Sequence, residues 1–174
     1  MSGPEFERLV KLDRLPQRSV TIAADEAERA ALARRFGIGP IAELRAELTL
    51  HSQGDAIGAK GRLVARFEQR CAMSDRPFAN RIDEPLAFRF VPALAAADED
   101  EELEFASTDP DEIEYHGAAI DLGEAVAQSF GLALDPYATG PEADVVRSEA
   151  GIANEDAPSG PFAALAALRA KEAD

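Results

Sequence analysis

Between Gly58 and Pro92 the chain alternates apolar and polar residues on both sides of a six-residue break, Ala72-Met73-Ser74-Asp75-Arg76-Pro77, and few folds accommodate such a pattern. In the first arm Leu63, Ala65, Phe67, Gln69 and Cys71 share one parity, and Arg62, Val64, Arg66, Glu68 and Arg70 share the other. This is the two-residue period of a half-buried strand. The second arm places Phe78, Ile82, Leu86, Phe88 and Phe90 on one parity and Arg81, Asp83 and Arg89 on the opposite one. A hairpin with Cys71 facing Phe78 sets Phe67 against Ile82 and Leu63 against Leu86, so both apolar sets fall on one side of a sheet. The same register sets Glu68 against Arg81 and Arg66 against Asp83 as two cross-strand charge pairs, and a slip of one residue destroys both features. Pro85 supplies no amide donor, which predicts an edge or a bulge at that point.

The flanking segments read as support for this hairpin. Residues 41–52 alternate with Leu44, Ala46, Leu48 and Leu50 on one side and Glu43, Arg45, Glu47 and Thr49 on the other, and Gln53-Gly54-Asp55 supplies a turn into the first arm. Three consecutive antiparallel strands, a meander, follow from that order. An earlier extended segment at 18–23 is predicted to join the sheet. Asp25 followed three residues later by Glu28 has the spacing of a capping box and opens a helix that Gly37 stops. Asp121 and Glu124 repeat that spacing ahead of Leu122, Val126, Phe130 and Ala133, which lie at helical intervals. Short strands are expected at 103–105 and 113–115. The predicted class is α+β: an antiparallel sheet, open or closing into a small barrel, flanked by two or three short helices. One domain is expected over residues 1–138, followed over 139–174 by an acidic, Pro- and Gly-rich linker and a C-terminal helix.

Charge divides the chain more sharply than composition does. The net charge of −15 argues at first sight against nucleic acid, whose sequence-independent binding comes from Lys and Arg. Residues 1–92, however, hold 15 Lys and Arg against 13 Asp and Glu, a net of +2, and the remainder carries −17. An Arg-bearing β half can approach RNA or a basic protein, whereas the acidic half repels the first and attracts the second. Asp98 to Glu102 is an unbroken run of carboxylates, expected as a mobile loop without the turn glycine and alternating ligands of a calcium site. No apolar run approaches the roughly 18 residues that span a bilayer, and no leader is recognisable at the start, so a cytoplasmic protein is expected.

The residue types for chemistry are sparse. Cys71 is the only cysteine, which excludes an intramolecular disulfide and a cysteine zinc cluster within one chain. His51 and His116 complete a poor ligand set, and His51 reads as a surface residue. The carboxylate pair Asp121 and Glu124 invites a glycosidase interpretation, but the orphan amides of a first helical turn already account for it. Arg29, Arg34 and Arg35 read as a solvated helix face, with a basic rim as the functional alternative. No phosphate-cradling glycine loop and no nucleophile beside a base is present, so no catalytic residue, metal or cofactor is assigned.

Three stretches, in order, resemble one family. Cys71-Ala72-Met73-Ser74-Asp75-Arg76-Pro77-Phe78 matches a C-x-x-C-x-x-P-F loop at its first cysteine, its proline and its aromatic residue. The acid-capped helix from Ile120-Asp121-Leu122-Gly123-Glu124 runs on to Leu132-Ala133-Leu134-Asp135-Pro136-Tyr137, and Pro161-Phe162-Ala163-Ala164-Leu165-Ala166-Ala167-Leu168 closes the chain. Together they are similar to the YceD-type large ribosomal RNA subunit accumulation proteins of bacteria and plastids, and the single cysteine with a long acidic tail resembles the alphaproteobacterial branch. Ser74 stands where many members have a second cysteine; a serine hydroxyl is a poor ligand for a soft metal, so Cys71 is read as a small hydrophobe opposite Phe78. The resemblance implies a non-enzymatic factor for accumulation or processing of large-subunit ribosomal RNA, hence ribosome assembly. Its partners would be that RNA or its precursor, or ribosomal and RNA-processing proteins, with no membrane and no small-molecule substrate. Arg62, Arg66, Arg70 and Arg81 are the candidate phosphate contacts. Cys71, Ser74, Pro77 and Phe78 form the family loop, and Phe162, Leu165 and Leu168 are a candidate docking stripe. The alternative is an adaptor whose acidic half binds ribosomal proteins or a nuclease without touching RNA.

Overall fold

The computed structural model describes residues 5–93 and 111–151. The acidic run at 98–102, the expected strand at 103–105 and the stripe of Phe162, Leu165 and Leu168 lie outside the described residues. Those described fall into two compact units, one of residues up to Gln69 together with Ala79–Pro136, the other of Arg70–Phe78 with residues from Tyr137 onward.

The first unit is built on a five-stranded sheet in sequential order: β2 (Val20–Ala23), β3 (Ile41–Gln53), β4 (Ala56–Arg70), β5 (Pro77–Pro92) and β6 (Asp111–Tyr115). A two-stranded ribbon pairs β1 (Leu9–Lys11) with β7 (Ala119–Asp121). β2 and β3, and β3 and β4, pair antiparallel, and β3, β4 and β5 are neighbours in the order the predicted meander requires, whereas β6 runs parallel to β5 over Phe88–Pro92. The sheet is open, with β2 and β6 at its edges, and does not close into a barrel. Among the described residues β6 pairs with β5 only from Phe88 onward, so the stretch that holds Pro85 has no described partner on that side, the edge-like setting in which a proline is tolerated.

The apolar parity of the strands faces one core. Leu44, Leu48, Leu63, Ala65, Phe67, Ile82, Leu86, Phe88 and Phe90 are buried, and two helices supply the opposing layer. The first, α1 (Glu26–Phe36), is capped as its sequence predicts: the Asp25 carboxylate accepts from the Glu28 amide and the Glu28 carboxylate from the Asp25 amide. It ends on Gly37 at φ 65°, a left-handed position that glycine adopts without penalty. The second, α2 (Leu122–Leu132), inserts Phe130 edge-on between Phe67 and Phe36, with centroids 5.3 and 5.6 Å away. Its cap departs from the expected capping box. Asp121 accepts from the amides of Gly123 and Glu124, but the Glu124 side chain turns to Arg35, whose two-pronged guanidinium is a stronger partner than a single amide.

Of the arginines expected on a solvated face of α1, Arg34 and Arg35 are exposed, but two of the three have partners. Arg29 donates to the carbonyls of Ile41 and Ala24, and Arg35 binds Glu124 and Glu5, so both arginines tie the helix to its surroundings. Gln69, alone on the apolar parity of β4 in being polar, is buried and satisfied: its amide donates to the Asp135 carbonyl and its oxygen accepts from Asn80 at 3.2 Å. Gly61 marks a close approach of two central strands, since a Cβ there would lie 1.8 Å from the Glu47 carbonyl oxygen.

The second unit contains the loop after β4 and, within the stretch expected as linker, a short helix α3 (Ala143–Glu149). Asp144 lies in its first turn and accepts from Arg147, and Ala143 is buried; these local interactions make a helix of residues whose Gly and Pro flanks suggest a linker. No helix among the described residues is long and apolar enough to cross a membrane.

Candidate nucleic-acid interface

With the apolar parity of β3, β4 and β5 turned to the core, the other parity forms a polar face that no described element covers. Register fixes its layout: Glu43 lies opposite Arg66, Arg45 opposite Val64, Glu47 opposite Arg62 and Thr49 opposite Lys60. Arg81, Asp83 and Arg89 continue the face on β5, and Glu112, opposite Arg89, continues it on β6.

Four arginines and two carboxylates of this face are grouped in threes. Glu43 holds two guanidiniums, that of Arg45 at 2.7 Å and that of Arg66 at 3.4 Å. Asp83 likewise holds Arg62 and Arg81. Each cluster therefore carries one positive charge in excess. In both, the guanidiniums lie outermost: the four arginine side chains are 52–64% exposed, against 32% for Glu43 and 27% for Asp83. The hydrogen bond from Arg62 first, joined by the charges of Arg62 and Arg81, outweighs desolvation and holds the Asp83 carboxyl below its ordinary range. Arg89 pairs with Glu112 farther along β5.

The predicted arginines are thus brought together in part, and with other partners than expected. Arg66 belongs to Glu43 on β3, and Asp83 takes Arg62 and Arg81 in place of Arg66. A strand has two neighbours, and Arg66 on β4 finds its carboxylate on β3, directly opposite, where an argument confined to the hairpin does not look. Arg70 belongs to the second unit, where Asp75 accepts its guanidinium through both carbonyl and carboxylate oxygens, at 2.9 and 3.2 Å. Arg45 and Glu43 escape a parity argument confined to the hairpin, although their alternation on β3 was visible.

The family loop is a distinct place, contained in the second unit. Cys71 is 3% exposed at the entry of the loop, which closes through Cys71 N–H to the Arg76 carbonyl at 2.9 Å and Asp75 N–H to the Cys71 carbonyl at 2.8 Å. Its thiol is more than a hydrophobe. The Ser74 hydroxyl first, then the amides of Gly140, Ser74 and Met73, hydrogen-bond the sulfur and lower its pKa to about 7, against desolvation, which raises it. Phe78 and Gly140 touch, and with Ser74, Arg76 and Glu142 they line a cavity of about 250 Å³, rimmed by an Arg76–Glu142 ion pair. The loop donors to sulfur could be anticipated from the short spacing to Ser74; Gly140, 69 residues on from Cys71, could not. No group of three or more His, Cys, Asp or Glu among the described residues is arranged to hold a metal ion.

A family model described as "Large ribosomal RNA subunit accumulation protein YceD" matches residues 59–169, more than half of the chain. The match takes in β4, β5, the Cys71 loop and α2. No curated protein and no solved structure is similar enough to match.

Proposed function

This chain belongs to the YceD family of large ribosomal RNA subunit accumulation proteins, and on that premise we propose that it binds large-subunit ribosomal RNA or its precursor through the open face of its sheet. The binding is non-catalytic and serves accumulation or processing of that RNA during ribosome assembly. The observation that carries this reading is the pair of clusters in which two outward guanidiniums share one recessed carboxylate. Exposed ion pairs of this kind add little to stability, so a phosphate can take a guanidinium from its carboxylate at small cost. Arg62, Arg66 and Arg81, with Arg45 beside them, are the phosphate contacts. The family description names an RNA that accumulates and no reaction, and the arginine clusters need none.

Charge supports one competing reading, in which the segment beyond residue 92, with its net −17, binds basic ribosomal proteins or a processing nuclease. Recovery of the tagged protein from growing cells, followed by sequencing of the bound RNA, separates the two. Large-subunit RNA recovered with the wild type and lost with Arg62→Ala/Arg66→Ala/Arg81→Ala is the expected result. Recovery of proteins alone, unchanged by those substitutions, would move the function to the acidic segment.

A further inference from the structure

Among the described residues, the open face of the sheet bears no Phe, Tyr or Trp. Phe67, Phe88 and Phe90 are all turned into the core, at 3, 2 and 1% exposed, and Tyr115 packs against that core as well. The only aromatic ring on the open parity is the imidazole of His51 at the end of β3, whose Nε2 lies 2.8 Å from the Gln53 amide nitrogen. Single-stranded RNA is held largely by stacking its splayed bases on aromatic rings, and a surface without them has only backbone contacts to offer. The guanidiniums, which can also stack, are here turned to shared carboxylates.

The layout of the positive charge adds to this. A single strand is tracked by a line of cations, but Arg45 lies on β3, Arg62 and Arg66 on β4, and Arg81 and Arg89 on β5. Arg62 and Arg66 are about 13 Å apart along their strand, and three strands at about 4.8 Å spacing spread the patch sideways by about 10 Å. It is an area, not a line. A-form RNA presents a matching surface, a wide and shallow minor groove with phosphates and 2′-hydroxyls of both strands along it.

Resting on the ribosomal RNA reading above, we infer that the occupant of this face is helical RNA, gripped by phosphates and 2′-hydroxyls across its minor groove. Glu47 and Glu68 lie on the same face and oppose the phosphates, which limits the affinity and supplies a second handle.

The test uses the full-length protein and fluorescence anisotropy with three probes of equal length: an RNA duplex of about 20 base pairs, an oligouridylate, and a DNA duplex of the same sequence. The RNA duplex is expected to bind about tenfold tighter than either of the others. Arg62→Ala/Arg66→Ala/Arg81→Ala abolishes that preference, and Glu68→Gln, which removes a repelling charge from an exposed position, tightens duplex binding a few-fold at unchanged melting temperature. Oligouridylate bound as tightly as the RNA duplex would overturn this inference and leave the ribosomal RNA reading standing. Duplex binding that survives the triple substitution would place the contact elsewhere and overturn it too. Failure to bind any of the RNA probes would remove the reading itself, and the inference with it.

Discussion

Arg66 and Phe67 are neighbours on β4, yet they belong to regions of the molecule governed by different physics. Phe67 is sealed between strands and helix, with Phe130 packed edge-on against it. Arg66 stands on the open side, 64% exposed and bonded at 3.4 Å to a carboxylate that also holds Arg45. The buried face has one arrangement, because apolar side chains interdigitate at crystal-like density and tolerate no alternatives. The open face has partners that can be exchanged, because water screens each pair and another anion can replace the carboxylate. One strand thus keeps a packed core on one side and exchangeable ion pairs on the other.

The contrast breaks most visibly at Phe67. Phe67→Ala removes the ring that Phe130 packs against and is expected to destabilise the fold by about 3–5 kcal/mol in denaturant titration; a loss below about 1 kcal/mol would mean that the core is not organised around that contact. The step from Phe67 to its neighbour should be steep. Arg62→Ala/Arg66→Ala/Arg81→Ala is expected to move the melting temperature by less than about 3 °C, and a larger drop would show the arginines to be part of the scaffold.

A smaller effect sharpens the comparison at the end of the strand, where Cys71 continues the apolar parity but is surrounded by donors. Its thiolate absorbance should titrate near pH 7, and Ser74→Ala should move the midpoint toward the ordinary value of 9.0, since the Ser74 hydroxyl is the first cause of the shift. The folded pKa is depressed, so the stabilisation it brings is complete above pH 9.0 and is lost as the pH falls through about 7. A midpoint at the ordinary value in the wild type would show that the loop donors miss the sulfur.

How far these regions were legible differs for the same reason. The apolar face follows from parity, because a strand must put every second residue on one side; Leu63, Phe67, Ile82 and Leu86 all occupy the core that their alternation predicts. Both helix starts follow from their Asp residues, since an orphan amide is satisfied by the nearest acceptor. What failed to follow depends on long side chains and distant segments. Glu124 bonds Arg35, 89 residues away, in place of its own helix start. Asp83 bonds Arg62 and Arg81 and not Arg66, the residue that a Cys71–Phe78 register sets against it. The parallel pairing of β6 with β5 was hidden as well, since a five-residue strand carries no mark of its direction.

The most direct test of the central claim, that the open face meets RNA through its arginines, is the salt dependence of binding to large-subunit ribosomal RNA by wild type and by Arg62→Ala/Arg66→Ala/Arg81→Ala. Each phosphate contact contributes about 0.7–0.9 to the slope of log K against log salt, so three lost arginines should flatten it by about 2 to 3. Equal slopes for the two proteins, or no measurable RNA binding by the wild type at low salt, would contradict the account.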